Sequence, residues 1–106
     1  MTTLNFYDVI ISERAAQMLV SHAAFLTNVS EQAAESMIEE FEEAAHSLRT
    51  LPERCPWLND GVLPKNKYRF LVFGNKRYLI IFQIVDQTVY IDLVVDCRQN
   101  YHWLVR

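Results

Sequence analysis

Residues 67–96 read KYRFLVFGNKRYLIIFQIVDQTVYIDLVVD, and the register of this stretch decides the fold. Its β-branched and aromatic runs are broken near Gly74-Asn75 and at Asp86-Gln87, which predicts three antiparallel strands in a meander. A two-residue turn at Asp86-Gln87 pairs Val85 with Thr88. It then sets Ile84 opposite Val89, Phe82 opposite Ile91, Ile80 opposite Leu93 and Tyr78 opposite Val95. At the earlier break, a two-residue turn at Gly74-Asn75 would pair Val72 with Arg77 and drive charge into the core. A three-residue turn over 74–76 pairs Val72 with Tyr78 and Phe70 with Ile80. A slip of one residue moves every side chain to the other face, so the apolar pattern selects the three-residue turn.

This register divides the sheet into two faces. One carries Tyr68, Phe70, Val72, Tyr78, Ile80, Phe82, Ile84, Val89, Ile91, Leu93 and Val95, and is expected under the helices. The other carries Arg69, Leu71, Phe73, Arg77, Leu79, Ile81, Gln83, Tyr90, Asp92, Val94 and Asp96, with Arg77 opposite Asp96. Leu71, Phe73, Leu79, Ile81 and Val94 would then form one exposed apolar patch, the mark of a partner surface. The nine residues from Arg98 to the end, with Tyr101 and Trp103, are too few to cover three strands.

Upstream, NFYDVII (5–11) fits a short strand with Tyr7, Val9 and Ile11 on one face. Ser12 is a plausible N-cap, and the spacing of Ala15, Met18, Leu19, His22, Phe25 and Leu26 predicts a helix from about residue 13 to 27. Asn28 with Glu31 forms a capping box for a second helix, with Ser30 as the alternative cap. Ala34, Met37, Ile38, Phe41, Ala45 and Leu48 stripe that helix, and Glu31, Glu35, Glu39, Glu42 and Glu43 occupy a solvated face. The short link between the helices makes them an antiparallel hairpin. Residues 51–67 are irregular, punctuated by Pro52, Pro56, Gly61 and Pro64, with Trp57 and Leu58 expected to pin them to the core.

The chain's 106 residues make one domain, 1–106, with an α+β fold: an N-terminal strand, an antiparallel helical hairpin and a three-stranded antiparallel meander in one sheet, helices packed on one face. The net charge of −3 argues against a protein held to nucleic acid by bulk electrostatics. No run is long enough to span a membrane, and no signal peptide is read at the N-terminus. Cys55 and Cys97 lie outside any CxxC pattern and are expected as reduced thiols in a cytoplasmic protein. Cys97 has no paired base that would make it a nucleophile. His22 reads as a packed histidine, His46 as a partner for a helix C-terminus, and His102 as the one histidine placed for acid–base work. No metal-ligand set, phosphate loop or cofactor motif is present in the sequence, so no cofactor is expected.

A strand, a helical hairpin and then YRFLVFGNKRYLIIFQIVDQTVYIDLVVDCRQNY resembles the RelE/ParE superfamily of bacterial type II toxins, and Leu48 to Pro52 resembles that family's exit from its second helix. The resemblance implies a toxin made beside an antitoxin whose disordered segment folds onto the helical hairpin, the sheet or both. Leu71, Phe73, Arg77, Leu79, Ile81, Tyr90 and Val94 are the expected partner surface. RelE-like members cleave messenger RNA in the ribosome with a cluster of cations and an acid near the C-terminus. Arg69 and Arg98 match that set, and Tyr101 and His102 lie near its acid. Leu71 and Leu79, however, stand where further cations belong. ParE-like members poison DNA gyrase without such a set. The favoured expectation is therefore a ParE-like toxin of the plasmid-stabilisation kind. The alternative is a ribosome-dependent endoribonuclease using Arg69, Arg98, Tyr101 and His102, so whether the chain is an enzyme stays open. A third reading is an inactive relative that forms a homodimer.

Overall fold

A computed structural model describes residues 6–59, 61 and 63–97. Strand β1 (Asp8–Ile11) leads into helices α1 (Glu13–Thr27) and α2 (Glu31–Ser47). A short 3₁₀ turn at Pro52–Arg54 follows, then strands β2 (Arg69–Phe73), β3 (Tyr78–Val85) and β4 (Thr88–Asp96). The sheet order is β1-β4-β3-β2, with β1 parallel to β4 and the rest antiparallel. The α+β architecture expected from the sequence is the one found. Ile11 is exposed, whereas Tyr7 and Val9 pack against the core.

Both helices begin at side-chain caps. Ser12 Oγ accepts the Ala15 N–H at 3.0 Å, as expected. Ser30, not Asn28, caps α2 by accepting from the Ala33 N–H at 3.2 Å. Asn28 instead ends α1, its own N–H turning back to the Phe25 and Leu26 carbonyls. The two residues between Asn28 and α2 leave no room for the earlier cap. Helix α1 lies against β4 and α2 against β2. Met37, Phe41, Ala45 and Leu48 are buried under α2, with Phe41 edge-on to Phe73 at 5.7 Å. Phe25, expected on the buried stripe of α1, is exposed.

The β2–β3 register differs from expectation by one residue. Phe73 pairs with Tyr78, Leu71 with Ile80 and Arg69 with Phe82. The turn is a two-residue one centred on Asn75-Lys76, closed by the Arg77 N–H to the Gly74 carbonyl at 3.1 Å. Asn75 and Lys76 both have positive φ, 55° and 69°, the twist that a tight hairpin needs. Gly74 ends the strand because a Cβ there would sit 2.7 Å from Cδ2 of the Tyr78 ring. Replacing Lys76 by glycine is therefore expected to stabilise the chain by up to about 1 kcal/mol. Gly74→Ala should destabilise it by about 1–2 kcal/mol. Urea unfolding midpoints report both.

A second shift lies in β4. Pairing follows expectation from Val85–Thr88 to Phe82–Ile91, then a bulge at Asp92 sets Ile81 opposite Leu93 and Ile80 opposite Val94. Two Asp92 acceptors find donors beside the bulge. The Asp92 carbonyl accepts from Ser12 Oγ at 3.1 Å and its carboxylate from Gln83 Nε2 at 2.7 Å. The bulge is thus tied to the start of α1.

The two shifts exchange the faces of β2 and of the second half of β4. Leu71, Phe73 and Val94 join Tyr78, Ile80, Phe82, Val89 and Ile91 in the core under the helices. Tyr68, Phe70, Leu93 and Val95, expected there, lie on the opposite side with Leu79 and Ile81. Val72 is 39% exposed.

Candidate functional site

The second sheet face is not the open apolar patch that the sequence predicts. Leu58 and Leu63, from the segment before β2, join Tyr68, Ile81, Leu93 and Val95 in a second buried cluster. That segment is held by the Leu58 N–H to the Tyr68 carbonyl at 2.7 Å and the Phe70 N–H to the Pro56 carbonyl at 3.2 Å. It therefore also covers one end of the β2 edge. Leu58 pins the segment as expected. Trp57 does not, being 42% exposed. Of the expected partner surface, Phe73, Ile81 and Val94 are buried and Leu71 packs against the helix-side core. Leu79, Tyr90 and Arg77 keep partial exposure.

Arg69 is placed differently from expectation. The one-residue shift brings it to the helix side. There Nη1 donates to the Glu53 carbonyl at 3.0 Å and the Cys55 carbonyl at 2.6 Å. Its guanidinium lies 3.8 Å above the Trp57 ring. Arg69 thus clamps the 3₁₀ turn onto β2 and has no pairing with Asp92. Arg77 meets Asp96 at 3.3 Å, the pair expected, and Asp96 is buried. Arg98, Tyr101 and His102 lie outside the described residues.

Two further titratable groups, His22 and Tyr7, make structural hydrogen bonds. His22 is half-buried and its Nε2 donates to the Val94 carbonyl at 2.9 Å, with its ring 5.3 Å from Tyr78, as a packed histidine should be. His46 falls in the last turn of α2, as expected. Both thiols are pushed up by desolvation, and Cys97 further by the Asp96 carboxylate. That opposes thiolate formation and nucleophilic use. The Tyr7 hydroxyl donates to Glu53, fastening the chain ahead of β1 to the 3₁₀ turn.

That hydrogen bond is the first cause of both a raised Tyr7 hydroxyl and a lowered Glu53 carboxyl. The contribution through Glu53 is present above its ordinary value of 4.5 and lost as pH falls through the lowered folded value. Through Tyr7 it is present below the ordinary 10.0 and lost as pH rises through the raised one. The stability gap between wild type and Tyr7→Phe is expected to be flat at neutral pH and to close at both extremes. Thermal melts across pH would show it; a gap independent of pH would contradict it.

Two surfaces that the sequence reading passed over stand out. Between α1 and α2 runs a groove lined by Ala23, Ala34 and Ile38, with Glu35, Glu39 and Glu42 beside them. Val20 and Phe25 on α1 are also exposed. The signal was present: three glutamates spaced by four and three residues, next to small apolar positions, line one side of a helix. The other surface lies where the chain leaves α2, lined by Phe6, His46, Arg49, Leu51 and Arg54 among others. Leu51 adopts left-handed φ and ψ of 48° and 55°, at a cost of about 1–2 kcal/mol for a residue with a Cβ.

No helix among the described residues is long and apolar enough to cross a membrane. Residues 9–101 match the family model described as the ParE toxin of the type II toxin-antitoxin system, parDE. Among solved structures, the chain is similar to one from the chromosomal ParDE TA system of P. aeruginosa. The TM-score is 0.68 at 12% identity, covering 87% of this chain and 97% of that one. No curated protein matches the sequence.

Proposed function

Because this chain belongs to the ParE family of type II toxin-antitoxin toxins, we propose that it inhibits DNA gyrase by binding and is silenced by a cognate antitoxin. The observation that carries the choice of mechanism is the engagement of the two strand-end arginines. Arg69 is spent on the Glu53 and Cys55 carbonyls and Arg77 on Asp96. Leu71 is packed inward and Leu79 brings no charge to the other face. Cleavage of RNA through its 2′-hydroxyl needs several free cations around one phosphate, and binding to a protein target does not.

The antitoxin's place is the groove between the helices. Its floor is apolar and its wall bears Glu35, Glu39 and Glu42, so a segment with alternating apolar and basic positions suits it. Leu79, Tyr90 and Arg77 remain candidates for a second contact on the sheet.

The test is a supercoiling assay with purified gyrase beside a translation reaction with toeprinting. The expected result is lost supercoiling with accumulated gyrase–DNA cleavage complexes and intact message. Codon-specific cuts that vanish in Arg98→Ala, with gyrase unaffected, would establish the nuclease instead.

A further inference from the structure

The depression where the chain leaves α2 encloses about 350 Å³ and differs in charge from the rest of an acidic protein. Among the described residues, its lining includes two arginines and a histidine and no carboxylate. Two large apolar side chains stand open beside them: Phe6 is 58% exposed and Leu51 62%. Neither is there for the sake of the core. Leu51 sits in a backbone conformation that glycine would adopt without strain, and its side chain projects into water rather than into a compensating contact.

The cations are held in place before any ligand arrives. Arg54 donates through Nη1 to the Thr50 and Leu51 carbonyls and through Nη2 to Ser47 Oγ. Arg49 lies over the Phe6 ring at 5.5 Å, and its carbonyl accepts the Tyr7 N–H at 2.8 Å. A fixed guanidinium beside an open apolar wall loses little entropy on binding a carboxylate.

We propose that this pocket is where the toxin grips its target, taking an acidic segment whose large apolar side chain enters between Phe6 and Leu51 while its carboxylate meets Arg49, which lies over the Phe6 ring. This rests on the reading of the chain as a gyrase inhibitor. Charge separates the two occupants. The groove between the helices, walled by three glutamates, selects a basic segment, and that segment is repelled here. Antitoxin and target are thus assigned to surfaces of opposite sign.

The test uses the full chain, purified gyrase and the chain's own antitoxin. Arg49→Glu reverses the charge, and Leu51→Gly removes the apolar wall at a position whose backbone suits glycine. Each is expected to raise the concentration that halts supercoiling by about tenfold or more, with antitoxin affinity unchanged. Should Arg49→Glu lower Tm by more than about 5 °C, Leu51→Gly decides alone. Inhibition by both variants at the wild-type concentration overturns the pocket while leaving the gyrase reading intact. Lost antitoxin affinity with full inhibition also overturns it. A wild-type chain that leaves gyrase untouched removes the gyrase reading, and the pocket's assignment falls with it.

Discussion

Arg69→Ala is expected to destabilise the fold by about 2–4 kcal/mol, the sum of two charge-assisted hydrogen bonds discounted for partial exposure. Without the guanidinium, the Glu53 and Cys55 carbonyls lose their shared donor and Trp57 loses the cation stacked on it. The 3₁₀ turn at Pro52–Arg54 would then be held mainly by Tyr7 to Glu53 and by the pairing of 56–58 with β2. Arg69→Lys should recover less than half, because an ammonium cannot span two carbonyls and stack on an indole at once. Urea unfolding at neutral pH measures both. An Arg69→Ala protein with a wild-type midpoint but no toxicity would return Arg69 to the list of residues that touch target or RNA. A protein that loses toxicity and stability together would not.

The second large effect concerns Ile81, whose side chain is fully buried in the cluster with Leu58, Leu63 and Leu93. Ile81→Ala is expected to cost about 3 kcal/mol. Ile81→Asp should exceed 4 kcal/mol, a large part of the total stability of a domain this size. The matched control is Val72→Asp, which should cost under about 1 kcal/mol at a 39% exposed edge position. The register expected from sequence predicts the reverse order, with Val72 inside and Ile81 open. Expression as soluble protein and a thermal melt would separate the two.

The reversal shows which parts of the fold could be read. Elements and their order were legible because their periods differ: 3.6 in the helices, 2 in the strands, with Ser12 and the Asp86-Gln87 turn marking boundaries. Register was not legible because β2 and β4 are apolar on both faces. Phe70 and Val72 suit a core as well as Leu71 and Phe73 do, so alternation had nothing to choose by. Gly74 drew the turn toward itself, although its small size serves the Tyr78 ring packed against it. Asp92, a lone carboxylate in an apolar run, was the one visible hint of the bulge. The site suffered from the same errors, since Arg69 changed sides with its strand. The pocket at the exit of α2 escaped because it draws on segments far apart in the chain, Phe6 with Leu51, and the groove between the helices escaped because its glutamates read as a solvated face.

The parallel pairing of β1 with β4 has a consequence for synthesis. Asp8 meets Thr88 and Ile11 meets Ile91, so β1 waits for a partner strand made long after it. A growing chain can form the helical hairpin early, through contacts local in sequence. The sheet lacks one of its two inner strands until residues 88–96 have emerged. Such long-range closure is slow and cooperative. A polypeptide interrupted before β4 therefore lacks the strand that joins β1 to β3, and the four-stranded sheet cannot assemble until residues 88–96 have left the ribosome.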